Sequence, residues 1–231
     1  MVKNNMDITS FDYAKYQNVF IQNIIYFIYN HLDKWRGSKN WTNTENEKLL
    51  NSDLIKYLNR YARTEELKAN FFSDELQGTF HSVDIVACHF DKNIENFREA
   101  IVVFECKRLS SAITGKRKDE YVTGHNEKDG GIQRFKIEIH GSDYNIVGMV
   151  GYIQSGNYQE WFNKINSVIK EISIKPDENG LIWTKNEFLK MVENDSIKRK
   201  YYYNSIHSRK TKENIIIHHL WIDMQKGGGN E

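Results

Sequence analysis

Asp84, Glu105 and Lys107 are the residues whose types and spacing could do chemistry. The run Ala100-Ile-Val-Val-Phe-Glu-Cys-Lys-Arg-Leu109 leads from four apolar residues, Ile101 to Phe104, straight into Glu105, Cys106 and Lys107. Read as a buried strand, it ends in an acid and a base two residues apart, and such residues share one face of the pleat. Upstream, Phe80-His-Ser-Val-Asp-Ile-Val-Ala-Cys88 sets Asp84 among β-branched residues, where a carboxylate is costly unless its charge is compensated. The polar stretch from Asn93 to Glu99 reads as a turn, so the two runs are expected to pair as an antiparallel hairpin with Asp84 beside Glu105. Carboxylates that close repel each other, and a hard divalent cation with oxygen ligands, such as Mg²⁺, relieves the repulsion. A lysine close by can hold or polarise a metal-bound water. A second acid-x-lysine, Glu66-Leu-Lys68, lies in polar, helix-leaning sequence with no apolar run before it. The alternative without chemistry is that Asp84, Glu105 and Lys107 form a buried ion network.

On these residues the sequence resembles the PD-(D/E)XK, or restriction-endonuclease-like, nuclease superfamily. Asp84 stands for its first acid and Glu105-Cys106-Lys107 for its (D/E)XK element, while Val83 stands in place of the name-giving proline, a position commonly replaced in that family. The resemblance implies that Asp84 and Glu105 bind Mg²⁺, with Mn²⁺ able to substitute, that Cys106 offers its backbone carbonyl to the metal, and that Lys107 orients the attacking water. It also implies a glutamate from the first core helix, with Glu47 as first candidate and Glu45 as second. A glutamate in a first helical turn also simply favours the helix dipole. The implied fold is α/β, a central mixed β-sheet flanked by helices, with an extra N-terminal helix and a C-terminal α+β extension. The implied activity is Mg²⁺-dependent endonuclease action on DNA, with RNA left open, in defence, restriction or repair. The rivals are a catalytically inactive nuclease-fold protein that binds nucleic acid and a protein-interaction subunit.

The elements that must position these residues follow from periodicity. From Phe11 to Trp35, apolar residues at Tyr16, Val19, Phe20, Ile24, Phe27, Ile28 and Leu32 predict an amphipathic packing helix, whose rival role is docking a protein partner or a second copy. After Gly37, Thr44 with Glu47 gives the capping-box pattern, and Leu50, Leu54, Tyr57, Leu58 and Tyr61 continue the helical stripe. Ile132 to Lys136 begins a short helix ending near Gly141, and Tyr144 to Ile153 reads as a buried strand in which Gly148 and Gly151 allow close approach. Tyr158 to Ile172 forms a helix with Trp161, Phe162, Ile165, Val168 and Ile169 on one face. The resemblance therefore spans about Thr44 to Ile153, in the order helix, three strands, helix, strand. Beyond the break at Pro176-Asp-Glu-Asn-Gly180, a short strand at Leu181–Trp183, a short helix at Glu187–Glu193 and an apolar strand from Ile215 toward Asp223 are expected. His218 and His219 face opposite ways on that strand and are read as structural.

Three basic segments are candidates for phosphate contact: Lys116, Arg117 and Lys118 just past the proposed site; Gln133, Arg134 and Lys136 at a helix start, where free N–H groups favour anions; and Lys198, Arg199, Lys200, Arg209 and Lys210, interleaved with tyrosines. Solvated loops, or a tyrosine-rich strand, would read alike. His125, in a glycine-punctuated loop, is left outside the catalytic set, and no nucleotide-binding glycine fingerprint is present.

The 231 residues, 39% hydrophobic, suffice for one good core. A net charge of +1 neither favours nor opposes nucleic acid as partner. Two cysteines without metal spacing argue against a disulfide framework or zinc site and suggest a reduced, cytoplasmic protein. No apolar run approaches membrane-spanning length. The expected layout is an N-terminal helical segment over 1–40, a nuclease-like core over 41–175, a C-terminal extension of the same domain over 176–225, and a disordered tail over 226–231.

Overall fold

The computed structural model describes residues 10–73, 83–90, 100–113, 119–124, 130–174 and 180–226, with backbone alone for 10–16. Its elements are α1 (Ser10–Gly37), α2 (Glu47–Thr64), β1 (Ala69–Phe72), β2 (Ile85–His89), β3 (Ala100–Leu109), α3 (Gly131–Lys136), β4 (Ile146–Ile153), α4 (Tyr158–Ile172), β5 (Lys190–Asp195), β6 (Lys200–His207) and β7 (Ile215–Asp223). The seven strands form one mixed sheet in the order β1-β2-β3-β4-β7-β6-β5. β3, β4 and β7 run parallel at its centre, and antiparallel strands extend it on both sides. The chain is thus α/β, a mixed sheet flanked by helices.

The alternation of β3 explains the layering. Val102, Phe104 and Cys106 face α1 and α2, joining Ile24, Ile28, Leu32, Leu50, Leu54 and Leu58 in one core. Val103 and Leu109 face α3 and α4, joining Ile132, Phe135, Trp161, Ile165 and Ile169 in the other. Glu105 and Lys107 stand on that second face, in the gap between Val103 and Leu109. α4 starts on a reciprocal Asn157–Glu160 capping box that supplies its first turn with acceptors. Of the apolar stripe of α1, Ile24, Ile28 and Leu32 are fully buried in the chain's own core, while Val19 is exposed.

Several local expectations are corrected. The N-cap of α2 is Asn46, whose side chain accepts from Leu49 N, and not Thr44. Leu181–Trp183 has no strand pairing. The segment read as a helix at Glu187–Glu193 is a 3₁₀ turn (Lys185–Glu187) followed by β5, an edge strand paired only with β6 and exposed along almost its whole length. α3 stops at Lys136, well before Gly141. His218 and His219 do face opposite sides: His218 bonds Tyr202 Oη at 2.6 Å, and His219 bonds Tyr121 Oη at 2.9 Å and Ser205 Oγ at 2.7 Å. Both cysteines are buried and neither is in a disulfide, and no described helix is long and apolar enough to cross a membrane.

Gly148 sits where β4 passes the Phe104 ring: a Cβ there would come 2.0 Å from Phe104 Cδ1, in a fully buried layer. Gly148→Ala should therefore destabilise the chain by about 1–3 kcal/mol through overpacking, despite alanine's lower unfolded-state entropy. The urea-unfolding midpoint checks this.

Candidate active site

The hairpin forms in the expected register. Ile85 lies opposite Phe104, and the Asp84 N–H donates to the Phe104 carbonyl at 3.1 Å, which sets Asp84 across from Glu105. Asp84 Oδ2 accepts the Cys106 N–H at 2.7 Å. Lys107 Nζ donates to Glu105 Oε1 at 2.7 Å and to the Cys106 carbonyl at 3.0 Å, and it lies 3.7 Å from Glu47 Oε1. Glu47 is brought in by the first turn of α2, where its Oε2 accepts the Arg108 N–H at 3.2 Å. Glu45 does not reach: its carboxylate is turned to the Thr42 N–H and hydroxyl, and only its carbonyl is used nearby, accepting from Gln154.

Two further side chains complete the cluster. Arg134 Nη1 donates to Glu105 Oε1 at 3.0 Å, so a residue expected to meet phosphate is instead aimed at the central carboxylate. His140 Nδ1 donates to Glu105 Oε2 at 3.1 Å. His140 carries no sequence signal: it arrives through the turn after α3, where Glu138 and Gly141 take left-handed φ values of 63° and 60°.

The electrostatics divide the carboxylates. Glu105 is 1% exposed, and burial pushes its carboxyl up, yet the His140 hydrogen bond and the Lys107 charge outweigh this and hold it at about 2. Burial alone would lower the Lys107 pKa, but the charges of Glu105, Glu47 and Asp84 raise it, keeping the group an ammonium. Glu47 is raised, chiefly by burial and partly offset by Lys107. Asp84 is raised to about 7 by burial and then by Glu105, with Lys107 pulling the other way. Asp84 is therefore the carboxylate whose charge is least well met.

The cluster borders a cleft of about 670 Å³ between α2 and the sheet where β2 starts and β3 ends, lined by Glu47, Asn51, Val83, Asp84 and Arg108 among others. As a donor set, Asp84, Glu105, Glu47 and the Cys106 carbonyl are hard oxygens, the chemistry that suits Mg²⁺ or Mn²⁺. The under-compensated charge on Asp84 fits a cation. Among the described residues, no three His, Cys, Asp or Glu side chains already stand in a ligand cluster, because Glu105 is turned to Lys107, Arg134 and His140.

The remaining nucleic-acid candidates scatter. Lys116, Arg117 and Lys118, like His125, lie outside the described residues. The first three N–H groups of α3 are occupied by the carbonyls of Glu120, Tyr121 and Val122, so this helix start has none to offer a phosphate. Gln133 is buried and accepts from Gly124 N. Lys136 is fully buried, donating to Glu187 at 2.7 Å and to the carbonyls of Ile182 and Ser208. Lys200, 3% exposed, meets Asp33 and the Tyr29 carbonyl. Arg199 is bound to Asp223, and Arg209 braces the carbonyls of Glu213, Ser142 and Tyr144. Lys198 and Lys210 remain on the surface. Comparison with known proteins finds no matching family model, no matching curated protein and no matching solved structure.

Because Asp84 stands above its ordinary value of 3.8 in the folded chain, its contribution to stability is complete below that value and is lost as pH rises through about 7. At about 1.4 kcal/mol per pKa unit, the loss is at most about 4 kcal/mol. In EDTA, Asp84→Asn should match the natural chain near pH 4 and exceed its stability at pH 8 by roughly 2–4 kcal/mol. Urea unfolding at the two pH values measures the difference.

Proposed function

We propose that the chain is a metal-dependent phosphodiesterase of the PD-(D/E)XK type, an endonuclease acting on DNA. The observation that carries this reading is the convergence of Asp84, Glu105, Lys107 and Glu47 from three separate segments into one cluster, of which Asp84 and Glu47 line the cleft while Glu105 and Lys107 lie buried behind them. The element order α2-β1-β2-β3-α3-β4 also supports it, being the order the resemblance implies. Asp84, Glu105 and the Cys106 carbonyl would hold Mg²⁺, which when bound supplies Lewis-acid stabilisation of charge on the phosphate. Lys107, kept protonated by the surrounding carboxylates, acts as a hydrogen-bond donor that orients the attacking water, not as its base. Glu47, whose burial raises its proton affinity and whose Oε1 faces the Lys107 ammonium, is placed to accept the water's proton. Arg134 and His140 fix the Glu105 carboxylate.

One observation favours a second reading, a nuclease-like fold that binds nucleic acid without cutting it. Glu105 is already matched by Lys107, Arg134 and His140 without a metal, as in a structural ion network.

The two readings part on a cleavage assay with supercoiled plasmid and labelled single strands in Mg²⁺, Mn²⁺ or EDTA. Cutting that needs the metal and falls by at least about 10²-fold in both Lys107→Ala and Asp84→Ala is the expected result. Equal inertness of all three proteins, with a gel shift retained, gives the second reading.

A further inference from the structure

The cleft has a wall that the hydrolytic residues do not use. Arg108 follows Lys107 on β3, so its side chain turns to the opposite face, toward α2, and lines the cleft with Lys48, Ser52 and Lys56. Its backbone N–H is taken by Glu47, but its guanidinium Nε is buried with no hydrogen-bond partner among the described residues. This sets it apart from the other inward-facing basic groups, since Arg134 meets Glu105, Lys136 meets Glu187, Arg199 meets Asp223 and Lys200 meets Asp33. A buried N–H left unmet costs free energy, and a guanidinium fork matches the oxygens of a phosphate.

We propose that this cleft admits a single phosphodiester strand, with Arg108 clamping one of its phosphates and Lys48 and Lys56 flanking the path along α2. The assignment of the substrate rests on the hydrolytic reading of the neighbouring acids. The clamp itself rests on the unmet Arg108 Nε–H and the basic wall. The cleft, at about 670 Å³, has the size of a small-ligand pocket. The basic side chains of the wall form one row, Lys48 and Lys56 along α2 with Arg108 across from them, and a single charged row is the arrangement that tracks one strand's backbone. The basic residues of β6 and its flanks, by contrast, are largely consumed by internal partners.

Fluorescence anisotropy of a short labelled single strand, and of its duplex, in EDTA and in Ca²⁺, tests this with Arg108→Ala, Arg108→Lys and the paired change Lys198→Ala, Lys210→Ala. The expected result is tighter binding of the single strand, an affinity loss of about tenfold or more in Arg108→Ala, a smaller loss in Arg108→Lys, and a salt slope shallower by about one. Neither Arg108 variant is expected to melt below the natural chain, because Nε holds no partner in the fold whose loss could destabilise it. Arg108→Ala binding like the natural chain overturns the proposal, as does preference for duplex, absence of binding, or loss confined to the Lys198 and Lys210 pair. Binding that depends on Arg108 in a chain that never cuts would leave the clamp standing and remove the hydrolytic reading instead.

Discussion

A carboxylate with 1% of its surface exposed persists as an anion only if its charge is met at short range, and at Glu105 it is met three times. Lys107 and Arg134 reach one oxygen and His140 the other. These three partners come from the same strand, from α3 and from the turn beyond it. The central acid therefore ties the sheet to the layer above it, and the loop geometry after α3 is answerable to one buried charge. Removing such a partner from a buried charge is far more costly than replacing the whole set by apolar groups.

The cost of this arrangement is carried next door. Three carboxylates, Glu47, Asp84 and Glu105, face the ammonium of Lys107 and the guanidinium of Arg134, and the cations are drawn to Glu105. Asp84 keeps a backbone N–H and little else, so its proton is held to about 7 while Glu105 releases its own near 2. Two acids on adjacent strands with affinities pushed this far apart are a pattern associated with divided chemical roles. The same asymmetry leaves negative charge beside the cleft, opposite a wall carrying Arg108 and Lys56.

Much of this was legible from local pattern. The apolar run into Glu105, with Asp84 in a second β-branched run, specified the hairpin and its register, and helical spacing specified α1 and α4. What escaped was non-local. β5 has polar and apolar residues exposed on both faces, so its sequence lacks alternation, and only the free edge of β6 makes it a strand. Lys136 and Lys200 looked like solvent-facing bases because their partners, Glu187 and Asp33, stand 51 residues downstream in one case and in another helix in the other. His140 reaches Glu105 from 35 residues away through a turn with no residue spacing to announce it. Thr44 gave the capping-box spacing ahead of α2, but the oxygen that caps the helix is that of Asn46, two residues on.

The strand order has a consequence for how the chain is made. β7 lies between β4 and β6 and pairs with β4 in parallel, although β5 and β6 are synthesised before it. Until Ile215–Asp223 leaves the ribosome, the edge of β4 has no neighbour on that side, and the apolar face shared by Val147, Met149 and Trp221 stays incomplete. Parallel pairing across so long a separation is slow, and an open apolar strand edge invites association with other chains. The β5–β6 hairpin emerges first, and β6 waits for the same strand that β4 needs. β7 therefore closes both halves of the sheet at once, after the other described strands have been made, and the nascent chain is most exposed to aggregation just before that step.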